Sequence, residues 1–310
     1  MSTTAGSALI DAAAADVDRL CTAEPDVRQD LPDSVHKMRV ATRRLRSVLR
    51  SYRRILRRKP VREITDELRW LAGLLGVARD AEVRAERYAA LLGDNGAPSD
   101  EKTVPLGEKR VPQDDFGQRL VAEERGYYAG AHRAVVDSLD SHRYRTLVDR
   151  LHRLLTDPPL RASHADDPAE PVFTKVLRHE FRDLRRLVRT EPGLSGDDRI
   201  QHLHDIRKAA KRLRYSAEAA TAVLGKPAEE LGKQAKRLQG VLGDHRDAIE
   251  ALKTLRTHAT DADESGYQLL CDAEEAAAAK ALEEYPDAIE FLRDRPLDQP
   301  RITLRDGRSR

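Results

Sequence analysis

VHKMRVATRRLRSVLRSYRR, residues 35–54, is the stretch that decides the fold prediction, because helical periodicity and unbroken positive charge coincide in it. Met38, Leu45 and Leu49 recur at the spacing of one helix face. The opposite face carries a stripe led by a histidine, namely His36, Arg39, Arg43, Arg50 and Arg54. At about 1.5 Å of rise per residue, this stripe is about 27 Å long. The segment therefore predicts an amphipathic helix that buries its apolar side and presents cations on the other.

The charge of this segment is unusual for a solvated helix face. Residues 34–62 contain twelve Lys and Arg residues and no Asp or Glu. A solvated face usually mixes the two signs, because an acid and a base three or four residues apart stabilise a helix by about 0.2–0.5 kcal/mol. An ordinary solvated face remains the alternative interpretation, but the lack of acids favours a site for a polyanion.

A second segment, LHDIRKAAKRLRYSAEAA at residues 203–220, repeats the first at an offset of 168 positions. In both copies a histidine precedes an arginine by three residues, and two cations, a leucine and an arginine follow. The cations of the second copy are His204, Arg207, Lys211, Arg212 and Arg214, against His36, Arg39, Arg43, Arg44 and Arg46 of the first. Lys208 replaces Val40 and Glu218 replaces Arg50, so the two copies are predicted to contribute unequally, with the first half more cationic.

The duplication extends into the helix that follows each stripe. LAGLLGVARDAE (71–82) aligns with LQGVLGDHRDAI (238–249) at an offset of 167 positions. The aligned polar pairs are Arg69 with Lys236, Arg79 with Arg246 and Asp80 with Asp247. We interpret the two aspartates as ion-pair partners of basic residues in the stripe-bearing segments 35–54 and 203–220. A nearly constant offset over about fifty residues predicts a duplicated helical bundle.

Composition limits the class of protein. The 310 residues include 55 basic and 53 acidic side chains, a net charge of +2, so the positive charge is segregated within the chain. Helical spacing without β-type alternation predicts an all-α fold. The two cysteines have no partner at metal-ligand spacing, the N-terminus lacks a basic secretory start, and no apolar run reaches membrane-spanning length. We expect a cytoplasmic protein with no cofactor, no bound metal and no membrane contact.

Pro- and Gly-rich stretches divide the chain. Helices are expected at about residues 7–23, 33–58, 62–92, 115–139, 141–156, 170–190, 198–224, 227–258 and 262–292, with a flexible loop at 93–115. A linker at 157–169 separates a first repeat, 1–156, from a second repeat, 170–292, and a flexible tail is expected at 293–310. We predict one domain over 1–292 that consists of two helical-bundle halves.

The strings AEPDVRQDLPDSVHKMRVATRRLRSVLR and LHDIRKAAKRLRYSAEAA, with the two LLG/VLG–RD helices, resemble the CHAD domain, the conserved histidine α-helical domain. The resemblance covers about residues 8–292. It implies two four-helix bundles related by an internal pseudo-twofold axis, with a basic groove or pore between them that binds inorganic polyphosphate. It also implies an association with polyphosphate granules in prokaryotic cells. The ExExK signature of the CYTH domain that accompanies some members is absent, so we expect a stand-alone CHAD protein.

The predicted polyphosphate-binding residues combine the family's basic motif with other cations of the stripes and of the duplicated helix. They are His36, Arg39, Arg43, Arg44, Arg46, Arg50, Arg69, Arg79, His204, Arg207, Lys208, Lys211, Arg212, Arg214, Lys236 and Arg246. Such residues can grip phosphate oxygens by repeated charge-assisted hydrogen bonds. The two histidines either contact phosphate or are structural groups. A basic run from Lys175 to Arg189 is a secondary candidate surface.

Two other functions stay open at this point. A phosphohydrolase acting on polyphosphate or triphosphate would normally use clustered metal-binding carboxylates or a GxxxxGK[ST] loop, and neither pattern is present, so no catalytic residue is predicted. A protein that binds single-stranded nucleic acid would usually offer aromatic side chains for base stacking, and the motif helices contain only Tyr52, on the apolar side, and Tyr215. Polyphosphate binding without enzymatic activity is the favoured interpretation.

Overall fold

The computed structural model describes residues 3–92, 115–257 and 264–293, and helices account for most of them. The helices are α1 (Ala5–Arg28), α2 (Ser34–Ser51), α3 (Arg58–Leu92), α4 (Asp115–Leu139), α5 (His142–Thr156), α6 (Ala162–Ala165), α7 (Ala169–Thr190), α8 (Gly196–Leu224), α9 (Lys226–Thr257), α10 (Glu264–Glu283) and α11 (Tyr285–Ala288). Two 3-10 turns lie at Glu191–Gly193 and Glu290–Leu292. The described ranges contain no strand, which confirms the all-α prediction, and none of these helices is long and apolar enough to cross a membrane.

The predicted helix at 33–58 is wrong at its C-terminal end, because α2 stops at Ser51 and the chain turns before α3. Three apolar residues of this α2–α3 turn are at most 1% exposed: Tyr52, Ile55 and Leu56. The Arg57 N–H donates to the Pro159 carbonyl at 2.7 Å, and the Arg161 N–H donates to the Ile55 carbonyl at 2.8 Å. Burial of the three apolar side chains and pairing with the segment after α5 replace the expected helical hydrogen bonds.

The structure adds detail to two other predicted segments. The predicted linker at 157–169 contains the short helix α6. The predicted helix at 262–292 is divided after Glu283, and Pro286 lies in the first turn of α11, where a proline costs no helical hydrogen bond. Most of the predicted loop at 93–115, and the predicted tail after residue 293, lie outside the described residues.

One apolar core runs through both predicted halves of the chain. It joins residues of α1, α2, α3 and α5 with residues of α7, α8 and α9. Helix α2 packs directly on α8, and α1 contacts both α7 and α8. The Tyr52 and Phe173 ring centroids are 4.4 Å apart, and the Tyr52 hydroxyl donates to the main-chain oxygen of Ser216 at 2.9 Å. Buried contacts therefore fix the separation of the two motif helices, α2 and α8.

A second, smaller apolar cluster joins the far ends of two helical hairpins, α3–α4 and α9–α10. Its buried members are Tyr88, Ala89, Leu120, Val121, Ala251, Leu252, Leu255, Leu270 and Cys271. Beside it, Arg87 of α3 forms an ion pair with Glu274 of α10, which is 1% exposed. The motif helices, α3 and α9 lie between the α2–α8 contact on one side and this cluster on the other, and the region that they border is called the cleft.

Candidate functional site

The cleft brings cations of both motif helices together. Arg39, Arg43 and Arg46 of α2 and Arg207 and Lys211 of α8 are half-buried electrostatic neighbours, and they form the central cluster. The Nε atoms of Arg43 and Arg207 are buried without a hydrogen-bond partner among the described residues. Within the described part of the chain, four members form no ion pair, and Arg39 alone has a carboxylate partner. The central cluster is thus rich in hydrogen-bond donors, and the surrounding protein supplies few acceptors for them.

Mutual repulsion is most evident at Lys211. Burial, followed by repulsion from Arg43, Arg207, Arg39 and Arg46, lowers the pKa of Lys211 from 10.5 to about 7. Burial also lowers the pKa of Arg39, of Arg46 and of Arg207. A guanidinium nevertheless stays protonated at any physiological pH. The central cluster therefore combines permanent charges with one amine that titrates near neutrality.

Helices α3 and α9 supply the carboxylates of the cleft. The Nη1 atom of Arg39 lies 3.0 Å from the Oδ1 atom of Asp80. Burial raises the pKa of Asp247, while the nearby Arg207 and Arg87 act in the opposite direction. Asp247 is exposed to solvent although many protein atoms lie around its carboxylate. Asp80 therefore pairs with the motif helix as predicted, whereas Asp247 lies near Arg207 without forming an ion pair in the described chain.

Gly76 and Gly243 leave space for the guanidinium groups of Arg39 and Arg207. A Cβ atom at Gly76 would lie 3.7 Å from the Arg39 guanidinium, and one at Gly243 would lie 3.5 Å from that of Arg207. A methyl group fits at these distances, but a longer side chain would meet the arginine. The alignment of the duplicated segments pairs the two glycines, so each motif arginine passes its neighbouring helix at an equivalent residue.

His36 and His204 lie at the edge of the central cluster. Burial lowers the pKa of both rings, and a neighbouring arginine lowers it further, Arg79 for His36 and Arg246 for His204. Both rings are therefore mainly neutral at pH 7. The Nδ1 atom of His204 is buried and has no hydrogen-bond partner among the described residues. A bound anion would favour the protonated form of either ring.

Three arginines of the predicted site form ion pairs inside the bundle and do not join the central cluster: Arg44, Arg212 and Arg214. The Nε atom of Arg44 lies 2.9 Å from Asp16, which is 2% exposed, and Arg44 also pairs with Glu218. Arg214 pairs with Glu218 at 2.8 Å, and Arg212 pairs with Glu180 at 3.3 Å. These carboxylates compensate the three charges, so the arginines contribute less to the field of the cleft than the central cluster does.

The remaining predicted residues lie outside the central cluster. Four of them pair with an acid on their own helix: Arg69 with Asp66, Arg79 with Glu82, Lys208 with Asp205 and Arg246 with Glu250. Arg50 and Lys236 are exposed and have no ion pair within the described chain. Arg50 and Arg69 are electrostatic neighbours of Arg46, so they extend the positive charge of the central cluster along α2 and α3.

Arg87 is a residue of the cleft that the sequence reasoning missed. It is an electrostatic neighbour of Asp247, and its guanidinium pairs with Glu274. Arg87 follows Asp80 by seven residues, which places both on one face of α3. This spacing could have identified Arg87 as a neighbour of Asp80. The pairing of Arg87 with Glu274 could not be predicted, because Glu274 is distant in the sequence.

The fold and the cleft together define a class: an all-helical protein that brings partly uncompensated cations of two helices together. In the ranges that the structure describes, no three His, Cys, Asp or Glu side chains are placed to hold a metal ion. The chain belongs to the CHAD domain family, whose model matches residues 11–256. The match confirms the resemblance carried by the two motif segments.

Relatives from the curated proteins extend well beyond this chain. Two uncharacterized proteins of Mycobacterium tuberculosis, from strains CDC 1551 and H37Rv, are each 36% identical to it over 285 residues. The match covers 89% of this chain and 51% of each relative, so the chain spans about half of their length.

Two solved structures share the fold. PptA from Streptomyces chartreusis has a TM-score of 0.68 at 19% identity and covers 92% of this chain and 99% of its own. The CHAD domain from the plant Ricinus communis has a TM-score of 0.67 at 21% identity and covers 95% of this chain and 93% of its own. At these identities the similarity supports the fold alone.

Proposed function

We propose that the protein binds inorganic polyphosphate in the cleft and has no enzymatic activity of its own. The observation that carries this proposal is the central cluster, where five cations meet and one, Arg39, has a carboxylate partner in the described chain. Like charges at 4 Å repel by about 4 kcal/mol at an effective dielectric constant of 20. A polyanion that enters the cleft would relieve this repulsion.

A long linear anion fits the surface better than a single phosphate. Within α2 the stripe spans about 21 Å from His36 to Arg50 at a helical rise of about 1.5 Å per residue. Arginine donors repeated at this spacing can each form charge-assisted hydrogen bonds to successive phosphates. The resemblance to CHAD proteins implies the same ligand. We propose further that binding takes place in the cytoplasm, on polyphosphate granules.

Single-stranded nucleic acid is the less favoured ligand, because the tyrosines of the motif helices are not available for stacking. Tyr52 is 0% exposed and Tyr215 is 2% exposed, and both lie in the packed interior. Base stacking on aromatic side chains contributes about 1–3 kcal/mol per base in proteins that bind single strands. The cations of the cleft could bind the phosphate backbone of a nucleic acid, but these two buried tyrosines cannot stack on its bases.

A binding isotherm with polyphosphate of defined length, measured at several salt concentrations, tests the proposal. We expect affinity to fall steeply with salt, as counterion release requires. Lys211→Glu and Arg43→Glu should abolish binding while helicity by circular dichroism is retained. Lys280→Glu and Arg153→Glu are matched controls, because both residues are exposed and the charge change is the same.

Three results would contradict the proposal. Equal losses in the controls would show that net charge alone governs binding. Duplex DNA that outcompetes polyphosphate at equal phosphate concentration and near-physiological salt would favour a nucleic-acid function. Phosphate release from polyphosphate with magnesium or manganese, abolished by Asp80→Asn or Asp247→Asn, would make the protein a hydrolase.

A further inference from the structure

The α2–α3 turn and the first turn of α3 carry a row of cations outside the cleft. Five of them are exposed and have no ion-pair partner in the described part of the chain: Arg53, Arg54, Arg57, Arg58 and Lys59. The next basic residue, Arg62, lies 3.6 Å from Asp66, so charge compensation begins beyond this row. These five turn cations are not part of the family motif or of the central cluster.

The backbone of the turn holds the cations close together. Tyr52, Ile55 and Leu56 anchor it in the core, and main-chain hydrogen bonds to residues 159 and 161 fix it from the other side. Arg58 and Lys59 also occupy the first turn of α3, which contains no acid. Cations at a helix N-terminus oppose the helix dipole, whereas an anion there is favoured. The ordered turn therefore maintains a repulsion that a bound anion would remove.

The turn cations continue the charge of the central cluster. Arg46 has Arg43 as an electrostatic neighbour within the cluster and Arg50 and Arg69 as neighbours outside it. Arg50 is exposed and lies one residue before the end of α2, and Arg54 follows three residues after that end, within the turn. At about 1.5 Å of rise per residue, Arg43 and Arg50 are about 10 Å apart along α2, and the turn follows directly after Ser51. A linear anion held in the cleft can therefore pass over Arg50 to the turn.

We propose that the turn cations form an outer binding surface for the part of a long polyphosphate chain that extends out of the cleft. This inference rests on the proposed function, and it adds that the turn cations distinguish long polyphosphate chains from short ones. A short chain that fills the cleft does not reach the turn, so its affinity is independent of the turn cations. A long chain contacts both surfaces, and its second contact is intramolecular and thus favoured by a high effective concentration.

The test compares two chain lengths on the variant R53Q/R54Q/R57Q/R58Q, which keeps the buried residues of the turn. One polyphosphate is about as long as the part of the stripe inside the cleft, and the other is several times longer. We expect unchanged affinity for the short chain and about tenfold weaker binding of the long chain. For the long chain we also expect a weaker salt dependence. The slope of the logarithm of the binding constant against the logarithm of the salt concentration should decrease in magnitude by about 3, since each of the four lost contacts contributes about 0.7 to it.

The variant R133Q/R153Q/K226Q/K280Q is the matched control, because it removes the same charge from exposed residues that lack ion pairs in the described chain. The inference is overturned if the turn variant binds long chains like the wild type. It is also overturned if the control weakens binding equally, or if short and long chains are weakened alike. The proposed function survives each of these results, whereas a wild-type protein that binds neither chain overturns both.

A measurement on the wild-type protein avoids any doubt about folding of the variant. Lys59 is the single lysine among the turn cations, and its amine can be acylated in the folded protein. Long polyphosphate should protect Lys59 at concentrations that saturate the cleft, whereas saturating short polyphosphate should leave its acylation rate unchanged. Lys280 serves as the internal reference. Equal protection of Lys59 and Lys280, or no protection of Lys59, contradicts the inference.

Discussion

Polyphosphate binding should be accompanied by proton uptake at Lys211. The pKa of this amine in the free protein is about 7, so about one-tenth of the molecules carry the charged form at pH 8. A bound polyanion offsets the repulsion from the neighbouring arginines and favours the ammonium form. The pKa then returns toward its ordinary value of 10.5, and each binding event at pH 8 should take up about 0.9 proton at Lys211.

The same coupling fixes the sign of two pH dependences. Because binding takes up a proton, the logarithm of the association constant should fall by about one unit per pH unit above pH 7. Stability of the free protein responds in the opposite direction. The unfolded chain keeps Lys211 protonated up to its ordinary pKa of 10.5, whereas the folded protein releases the proton near 7. In that window the unfolded state binds more protons, so this residue's contribution to the free energy of unfolding rises with pH.

Isothermal titration calorimetry in buffers of different ionisation enthalpy measures the uptake directly. Lys211→Arg is the matched variant, because arginine keeps the positive charge but does not titrate in this range. Protons taken up by His36 or His204 contribute in both proteins, so the difference between wild type and variant isolates Lys211. Equal proton uptake by the two proteins at pH 8 would refute the reasoning.

Three further results are expected. Lys211→Met should raise the free energy of unfolding of the ligand-free protein at pH 6 by about 1–2 kcal/mol in a urea titration, since it removes a repelled charge; an unchanged midpoint would argue against that repulsion. Arg44→Ala should lower the free energy of unfolding by about 2–3 kcal/mol, because buried Asp16 loses an ion-pair partner, yet the affinity for short polyphosphate should be retained. Gly243→Ala should stabilise α9 by up to about 1 kcal/mol in a thermal melt, whereas Gly243→Leu should displace Arg207 and weaken binding in the isotherm.

Helical periodicity could predict the helices and much of the central cluster. Arg39, Arg43 and Arg46 share one face of α2 because they follow each other by four and three residues. The repeat then selected Arg207 and Lys211 on the second motif helix without any structural information. What made these predictions possible is that each depends on local spacing within one helix and on the correspondence of two similar segments.

Compensation of charge could not be predicted in the same way. Arg43 and Arg44 are adjacent and chemically identical, but Arg44 turns toward Asp16 of α1 and toward Glu218, which is 174 residues away. Arg87 likewise depends on Glu274, 187 residues away. These partners are set by how α1, α8 and α10 pack, and packing between distant helices leaves no periodic signal. The end of α2 was missed for a related reason, because tertiary burial of the α2–α3 turn overrides helical spacing.

The continuous core of α1, α2, α7 and α8 has a kinetic consequence. Folding of the chain itself assembles the cations of the cleft, because α2 and α8 cannot separate without breaking buried contacts such as the hydrogen bond from the Tyr52 hydroxyl to the Ser216 carbonyl. An incoming anion thus meets a preorganised site, and only the ligand has to lose conformational freedom on association. Encounter should then be governed by long-range electrostatic steering, and ligands of equal charge density should differ chiefly in how slowly they dissociate.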